Sequence, residues 1–486
     1  MTPAPRPGAP APGDPAPGAA ARGDAASDGA ALGDPAPSDA ALARRLGVRD
    51  AVVIGLASMI GAGAFVSLGA AQDLAGSLAP LAVLIAAAVA LCNATSTAQL
   101  AAQHPSSGGV YHFGGKQLGP WWGFLAGWCF VIGKIASCAA MALVIAAYLV
   151  PEAWQRPVAA AVVVALTAVN LVGITRTARL ARILVTVALA ALLLTGGRLL
   201  WSLVPVAGAS IGAGPAQIPG PLADGASGLW DGGLAAALGT GAGGGLGIAL
   251  AVAQAAALLF FAFAGYARVA TLGEEVLAPR RTIPRAILLA LAAVAGLYLL
   301  LSLVLVAVGP APGTDGWGPA PFLAALDVVG AGGGWHVIVT VGAAAAATGA
   351  LLALIAGISR TVLAMAREGD LPRPLAHVSP RFSVPQRAEI TAGIAVLILV
   401  LAASDVLVAI AASSFGVLLY YAVANLAAAT QDGTWRLYPR AMQGLGLLGC
   451  LLLVAALPGR SIVAGLALLA IGIAYRAIVL ARRRTA

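Results

Sequence analysis

The sequence predicts an all-α polytopic membrane protein of about twelve transmembrane helices. Of its 486 residues 60% are hydrophobic and only 10% are charged, and the mean hydropathy is +0.93. No water-soluble domain has that balance. The apolar residues fall in long runs of the ~20 residues that a bilayer crossing needs. Two of those runs, the first and the sixth, are interrupted by glycine near their middles. Interrupted spans at matching positions of two halves point to a secondary-transporter site and put five spans in each repeat.

Residues 1–45 are almost all Ala, Pro, Gly and Asp. Such a segment buries too little apolar surface to offset its ordering, so a disordered tail is expected. It has no signal-peptide apolar core. The transmembrane domain then runs over 46–486. The first span, Asp50 to Gly76, reads DAVVIGLASMIGAGAFVSLGAAQDLAG. Gly61-Ala62-Gly63 stand at its centre, where each glycine costs roughly 1 kcal/mol in a regular helix. Unwound backbone is tolerated at that depth only inside protein or beside a wet cavity. Close helix packing through small residues is the other use of such glycines.

Spans two to five are expected at 79–103, 121–149, 157–173 and 180–203, completing a first repeat over about 48–203. A glycine-rich loop follows to about 245. The sixth span, 247–277, is broken at Gly265 just after Phe260, Phe261, Ala262 and Phe263. Spans seven to ten are expected at 284–309, 335–366, 388–402 and 405–429, closing a second repeat over about 247–429. Pro284 suits the first turn of its helix. Segment 320–330 is expected to form a short helix, and 441–457 and 461–481 two further spans.

The net charge of +9 reflects topology better than a nucleic-acid partner. With the N-terminus inside, the arginine clusters Arg44–Arg49, Arg176–Arg182, Arg280–Arg285, Arg360–Arg387, Arg436–Arg440 and Arg476–Arg484 all fall on the cytoplasmic side. Arg156, Arg460 and Arg198 fall outside. That asymmetry is the positive-inside pattern, with both termini cytoplasmic. The four cysteines, Cys92, Cys129, Cys138 and Cys450, lie in apolar spans, and the four histidines are scattered. Neither set makes a metal cage or a catalytic constellation, so neither a cofactor nor enzyme activity is expected.

IGAGAF (60–65), FFAFAGYARVATLGEEVLAPRRTIPRAI (260–287) and SRTVLAMAREGDLP (359–372) resemble motifs of the amino acid–polyamine–organocation superfamily. In this order the resemblance covers nearly everything after residue 46. It implies a LeuT-like fold of two inverted five-helix repeats plus two helices, and coupled amino acid transport. Two departures stand out. Many members carry an aromatic residue and then Glu after the sixth-helix glycine; here Gly265-Tyr266 is followed by Ala267 and Arg268. Some proton-coupled members carry a fifth-helix lysine; here the matching region is Val187-Ala188.

A zwitterionic amino acid brings a carboxylate and an ammonium, and a broken helix answers both with backbone alone. A helix N-terminus after Gly63 would offer N–H groups to the carboxylate. Helix-end carbonyls near Met59-Ile60 and Phe260-Phe261 would take the ammonium. Phe261 or Phe263 is placed to act as an aromatic lid, or to pack against lipid or core. Lys134, one of two lysines in the chain, lies about 21 Å into span three at ~1.5 Å per residue. An ionisable group at that depth is by default functional. It is the expected coupling group for protons, with sodium as the other ion to consider; a structural lysine bonded to helix-end carbonyls is the alternative. Ser137, Cys138 and Met141 share its helix face. Ser413, Ser414 and Phe415 are further pocket candidates. No acid lies at mid-depth, so a neutral amino acid is the expected substrate, with a cationic amino acid or polyamine as the alternative. Glu274 and Glu275, with the nearby arginines, form a candidate inner gate or a solvated surface network. A non-transporting amino acid sensor would keep the same site. Nothing in the sequence points to an oligomeric state.

Overall fold

The computed structural model describes residues 46–104, 108–172, 177–204, 245–272, 276–312, 314, 316–382 and 384–485. The expected tail, the 205–244 loop and the gate residues Glu274 and Glu275 lie outside the described residues. The chain is an all-α polytopic membrane protein. Nine helical stretches among the described residues are long and apolar enough to cross a bilayer.

In chain order the helices are α1 (Val48–Met59), α2 (Ala62–Ala75), α3 (Ala79–Gln103), α4 (Gly109–Leu118), α5 (Pro120–Leu149), α6 (Glu152–Leu171) and α7 (Thr177–Leu203). There follow α8 (Gly245–Phe263), the short α9 (Ala267–Ala270), α10 (Pro279–Val308), α11 (Pro321–Val328) and α12 (Gly334–Arg367). The last four are α13 (Gln386–Ala402), α14 (Val406–Ala429), α15 (Arg440–Ala456) and α16 (Gly459–Thr485). Most expected span boundaries agree with these to within a few residues, but the sixth span ends at Ala270 rather than 277 and the seventh opens at Pro279 rather than 284; α11 is the expected short helix. Pro284 does not open its helix: α10 starts at Pro279, and Pro284 sits inside the first two turns. Pro279 takes the first-turn position, where a missing N–H costs nothing. Helix α4 was not foreseen, because HFGGKQ (112–117) carries no apolar period.

The apolar stretch Ala62–Gln103 is 42 residues long, about 63 Å at 1.5 Å per residue. That is twice a ~30 Å hydrocarbon core, so it cannot cross once. Gly76, at φ +54°, ends α2 and turns the chain into α3. A side chain is strained in that conformation.

Helices α5 and α14 form the centre: 83% and 78% of their apolar windows are buried within the protein, against 11% for α6 and 17% for α16. The latter two are therefore at the lipid-facing edge. Close backbone contact holds the centre together. A Cβ on Gly416 would lie 2.7 Å from Gly133 Cα and 2.8 Å from the Cys129 carbonyl oxygen. Small residues let helices touch in this way where no hydrophobic drive separates protein from lipid. One polar cluster in the same interior is tied together through Asn425, although the Asn93 amide nitrogen and the Ser414 hydroxyl have no partner among the described residues. Asn425 on α14 donates to the Asn93 side-chain oxygen (2.6 Å) and the Tyr421 carbonyl (3.0 Å) and accepts from Ser96 (2.7 Å). Left unpaired in such surroundings, an amide would cost several kcal/mol.

Over the far end of α2 lies the segment before α11. The Trp317 backbone N–H donates to Asp73 at 3.0 Å, and Phe322 meets Phe65 edge-to-face at 6.1 Å. Phe65 is fully buried.

Candidate functional site

The first break comes two residues before its expected place. α1 ends at Met59; Ile60 (ψ +75°) and Gly61 (φ −118°, ψ −157°) leave helical geometry, and α2 begins at Ala62. The free N–H groups therefore belong to Ala62 and Gly63 rather than to residues after Gly63. Ala64 N–H already donates to the Gly61 carbonyl at 3.2 Å. Gly63 is inside the first turn of α2, and its missing side chain serves contact. A Cβ there would lie 2.7 Å from Ala262 Cα and 3.0 Å from the Phe261 ring. A Cβ on Gly61 would sit 3.3 Å from Ala350 and 3.7 Å from Met141. Met141, on the same α5 face as Lys134, thus reaches the break.

The second break is gentler. α8 runs on to Phe263, so the carbonyls it leaves open are at Ala262 to Ala264 and not at Phe260-Phe261. A 3-10 turn, Ala264–Tyr266, then leads into α9. Gly265 is pressed against α1: a Cβ would lie 2.0 Å from the Ser58 carbonyl oxygen and 2.6 Å from Met59 N. The two breaks are therefore in direct contact, Gly265 on Ser58-Met59 and Gly63 on Ala262.

The Met59, Ala262 and Ala264 carbonyls each have a side-chain donor. The Tyr298 hydroxyl, buried on α10, donates to the Met59 carbonyl at 2.8 Å and reaches the Ala262 carbonyl at 3.5 Å. The Ala264 carbonyl accepts from the Tyr421 hydroxyl at 3.3 Å and from Lys134 Nζ at 3.5 Å. Lys134 is 6% exposed, and no carboxylate pairs with it among the described residues. One turn along, the hydroxyls of Ser137 and Ser413 lie 2.6 Å apart, joining α5 to α14, and Ser137 also donates to the Gly133 carbonyl at 3.1 Å. Cys138 is fully buried beside them. Phe260 packs on Tyr421 (5.8 Å) and Phe263 on Tyr298 (5.2 Å), both edge-to-face. Phe261 is the one that touches the first break.

The structure thus brings together Met59, Ile60, Gly61, Ala62, Gly63, Phe261, Ala262 and Gly265 at the two breaks, with Lys134 on the second. Tyr298 and Tyr421 were missed by the sequence reading. The available signal was a tyrosine within an otherwise apolar run, whose hydroxyl needs a partner at that depth. At the paired breaks the Ala62 and Gly63 N–H groups are free among the described residues, while the Met59, Ala262 and Ala264 carbonyls accept from side chains. The model of the family described as "Amino acid permease" matches residues 50–480. The chain belongs to the amino acid permease family.

This permease is 48% identical over 438 residues to a protein named as an uncharacterized transporter in Mycobacterium tuberculosis, covering 89% of this chain and 90% of that one. It is 28% identical over 376 residues to cationic amino acid transporter 2, vacuolar, of Arabidopsis thaliana, over 73% of this chain and 54% of the other. It is 27% identical over 371 residues to the branched-chain amino acid permease BcaP of Bacillus subtilis, over 71% and 72%. The superfamily resemblance read from the three motifs is borne out, and with it an amino acid transporter of the membrane.

Proposed function

We propose that this permease imports neutral amino acids across the cytoplasmic membrane by proton-coupled symport and alternating access. The scaffold would be two inverted five-helix repeats, about 48–203 and 247–429, with two further helices over about 441–481 and both termini in the cytoplasm. The observation that carries the reading is Lys134 Nζ on the Ala264 carbonyl, 3.5 Å away at the second break, with no carboxylate beside it among the described residues.

A protonated lysine there is a charge-assisted donor to a helix-end carbonyl. Its loss of the proton removes that assistance and shifts the balance between two arrangements of the break. A fixed cation in the interior also disfavours a cationic substrate, whereas a zwitterion is satisfied by the Ala62 and Gly63 N–H groups and the helix-end carbonyls. The second reading, a cationic amino acid transporter or exchanger, is favoured by the name of the Arabidopsis relative.

The test is uptake in proteoliposomes, with Lys134→Ala beside the wild type. The variant is expected to lose proton-driven accumulation and keep counterflow exchange, which moves no net proton. Accumulation at the wild-type level in Lys134→Ala would make the lysine structural and send the search for the coupling ion to sodium. Competition by lysine or arginine stronger than by leucine would overturn the neutral substrate, and binding without any flux would leave a sensor. For the orientation, a cysteine placed in 205–244 should react with an impermeant thiol reagent on intact cells.

A further inference from the structure

Phe130 is about one turn from Lys134 on α5, about 6 Å nearer the Pro120 end. Its ring centre lies 5.3 Å from that of Tyr420 on α14. Beyond this pair is a cavity of about 30 Å³ between Gly109, Tyr111, Phe130, Thr271, Thr361 and Tyr420. A small-molecule pocket needs ~300 Å³ or more, so no amino acid fits. One water needs only ~10–15 Å³ together with two to four polar partners.

Those partners are present. The Tyr420 hydroxyl accepts from Val110 N–H at 3.3 Å, which leaves its own proton to donate. The Thr271 and Thr361 hydroxyls donate to the Arg268 and Gly357 carbonyls at 2.8 and 3.2 Å; Thr271 also accepts from the Arg268 guanidinium at 3.5 Å, and each hydroxyl keeps a lone pair to accept. On the side away from Lys134, the Tyr111 hydroxyl donates to Asp370 at 3.1 Å. Asp370 in turn pairs with Arg476 at 2.7 Å, and its side chain is 15% exposed. Burial, and then the Asp370 carboxylate, push the Tyr111 phenol well above its ordinary range, so Tyr111 passes a proton only as a hydroxyl.

We infer that this cavity is a water-binding site on the proton's route from Lys134 to the cytoplasm, and that the Phe130–Tyr420 ring pair is the barrier closing it off from Lys134 until the rings part. This rests on the proton-coupled reading above. Without a barrier, a proton on Lys134 would leave before the substrate and coupling would be lost. Among the described residues, the titratable or charged groups near the route are Cys138 beside the lysine, with Tyr421 on the same Ala264 carbonyl; Tyr111 and Tyr420 at the cavity, with Arg268 donating to Thr271; and Asp370, Glu368 and Arg476 around Tyr111.

The full chain is reconstituted in liposomes with a pH dye inside, the outside is made acidic, and the membrane potential is clamped. Wild-type liposomes are expected to acidify only when amino acid is added. Phe130→Ala is expected to acidify several-fold faster than wild type without any amino acid, and Phe130→Ala with Lys134→Ala to return to the wild-type background. Tyr420→Leu removes the other ring and is read in the same assay if Phe130→Ala is not monodisperse. A proton-tight ring variant that still reconstitutes overturns the barrier. A leak that persists in the double variant overturns the route through Lys134. Neither result touches the symport reading, which falls if wild-type liposomes fail to acidify when amino acid is added; Lys134→Ala that still takes up protons with substrate removes the lysine alone as the coupling group.

Discussion

The two helix breaks solve one problem in two ways. At Ile60-Gly61 the backbone leaves the helix outright, and its open carbonyl at Met59 is held by a neutral hydroxyl, Tyr298 at 2.8 Å. At Ala264–Tyr266 the backbone only tightens into a 3-10 turn. Its open carbonyl is held by the Tyr421 hydroxyl at 3.3 Å and by an ammonium, Lys134, at 3.5 Å. A hydroxyl cap is the same at any physiological pH. An ammonium cap exists in two protonation states. The first break is thus capped by a neutral group, and the second by a group that can carry charge; under the proposed symport, the second is the part whose strength follows a proton.

The largest effect is expected where the breaks touch. Gly265→Val would push carbon atoms into the Ser58-Met59 backbone, where even a Cβ would lie 2.0 Å from an oxygen. Overpacking costs typically ~1–3 kcal/mol and more where only backbone can give way. Uptake should vanish and the melting temperature should fall further than for any other variant here. A Gly265→Val protein with wild-type stability would show that the breaks do not meet. Gly63→Val is expected to insert normally and lose uptake, because its Cβ would meet Ala262 at 2.7 Å; substrate affinity measured by scintillation proximity checks it.

Next is the asymmetry between the caps. Lys134→Arg should fail in proton-driven accumulation as Lys134→Ala does, since arginine keeps its proton. Tyr298→Phe should lower the rate of uptake but leave the shape of its pH profile unchanged. The Met59 carbonyl would keep only its 2.9 Å bond from Gly61 N–H, a loss of about 1 kcal/mol. If Tyr298→Phe moved the profile and Lys134→Arg did not, the roles of the breaks would be reversed. Ser137→Ala should show the smallest change, on the order of 1 kcal/mol of stability, because the bond to Ser413 joining α5 to α14 and the local bond to the Gly133 carbonyl are lost.

Much of this was legible in the sequence. Long apolar runs must be helices in lipid, because no other local structure satisfies its own backbone there. That is why α3, α5, α8, α12 and α14 fall where hydropathy places them, and why Gly61, Gly63 and Gly265 stood out. Sequence also singled out Lys134, since a lone cation in an apolar run is rare. It could not tell which glycine unwinds and which merely makes room. Gly61 and Gly63 carry the same local preference; in the fold Gly61 leaves the helix, while Gly63 stays helical and packs on Ala262, distant in sequence. The carbonyl partners were hidden for the same reason. Tyr298, Tyr421 and Lys134 lie on three separate helices, and a hydrogen bond between a side chain and a break some 130 residues away (Lys134 to Ala264) leaves no mark in local composition. Burial and backbone satisfaction in lipid are properties of each segment and so are written in the sequence, whereas contacts between segments depend on how the helices pack and exist only in the folded chain.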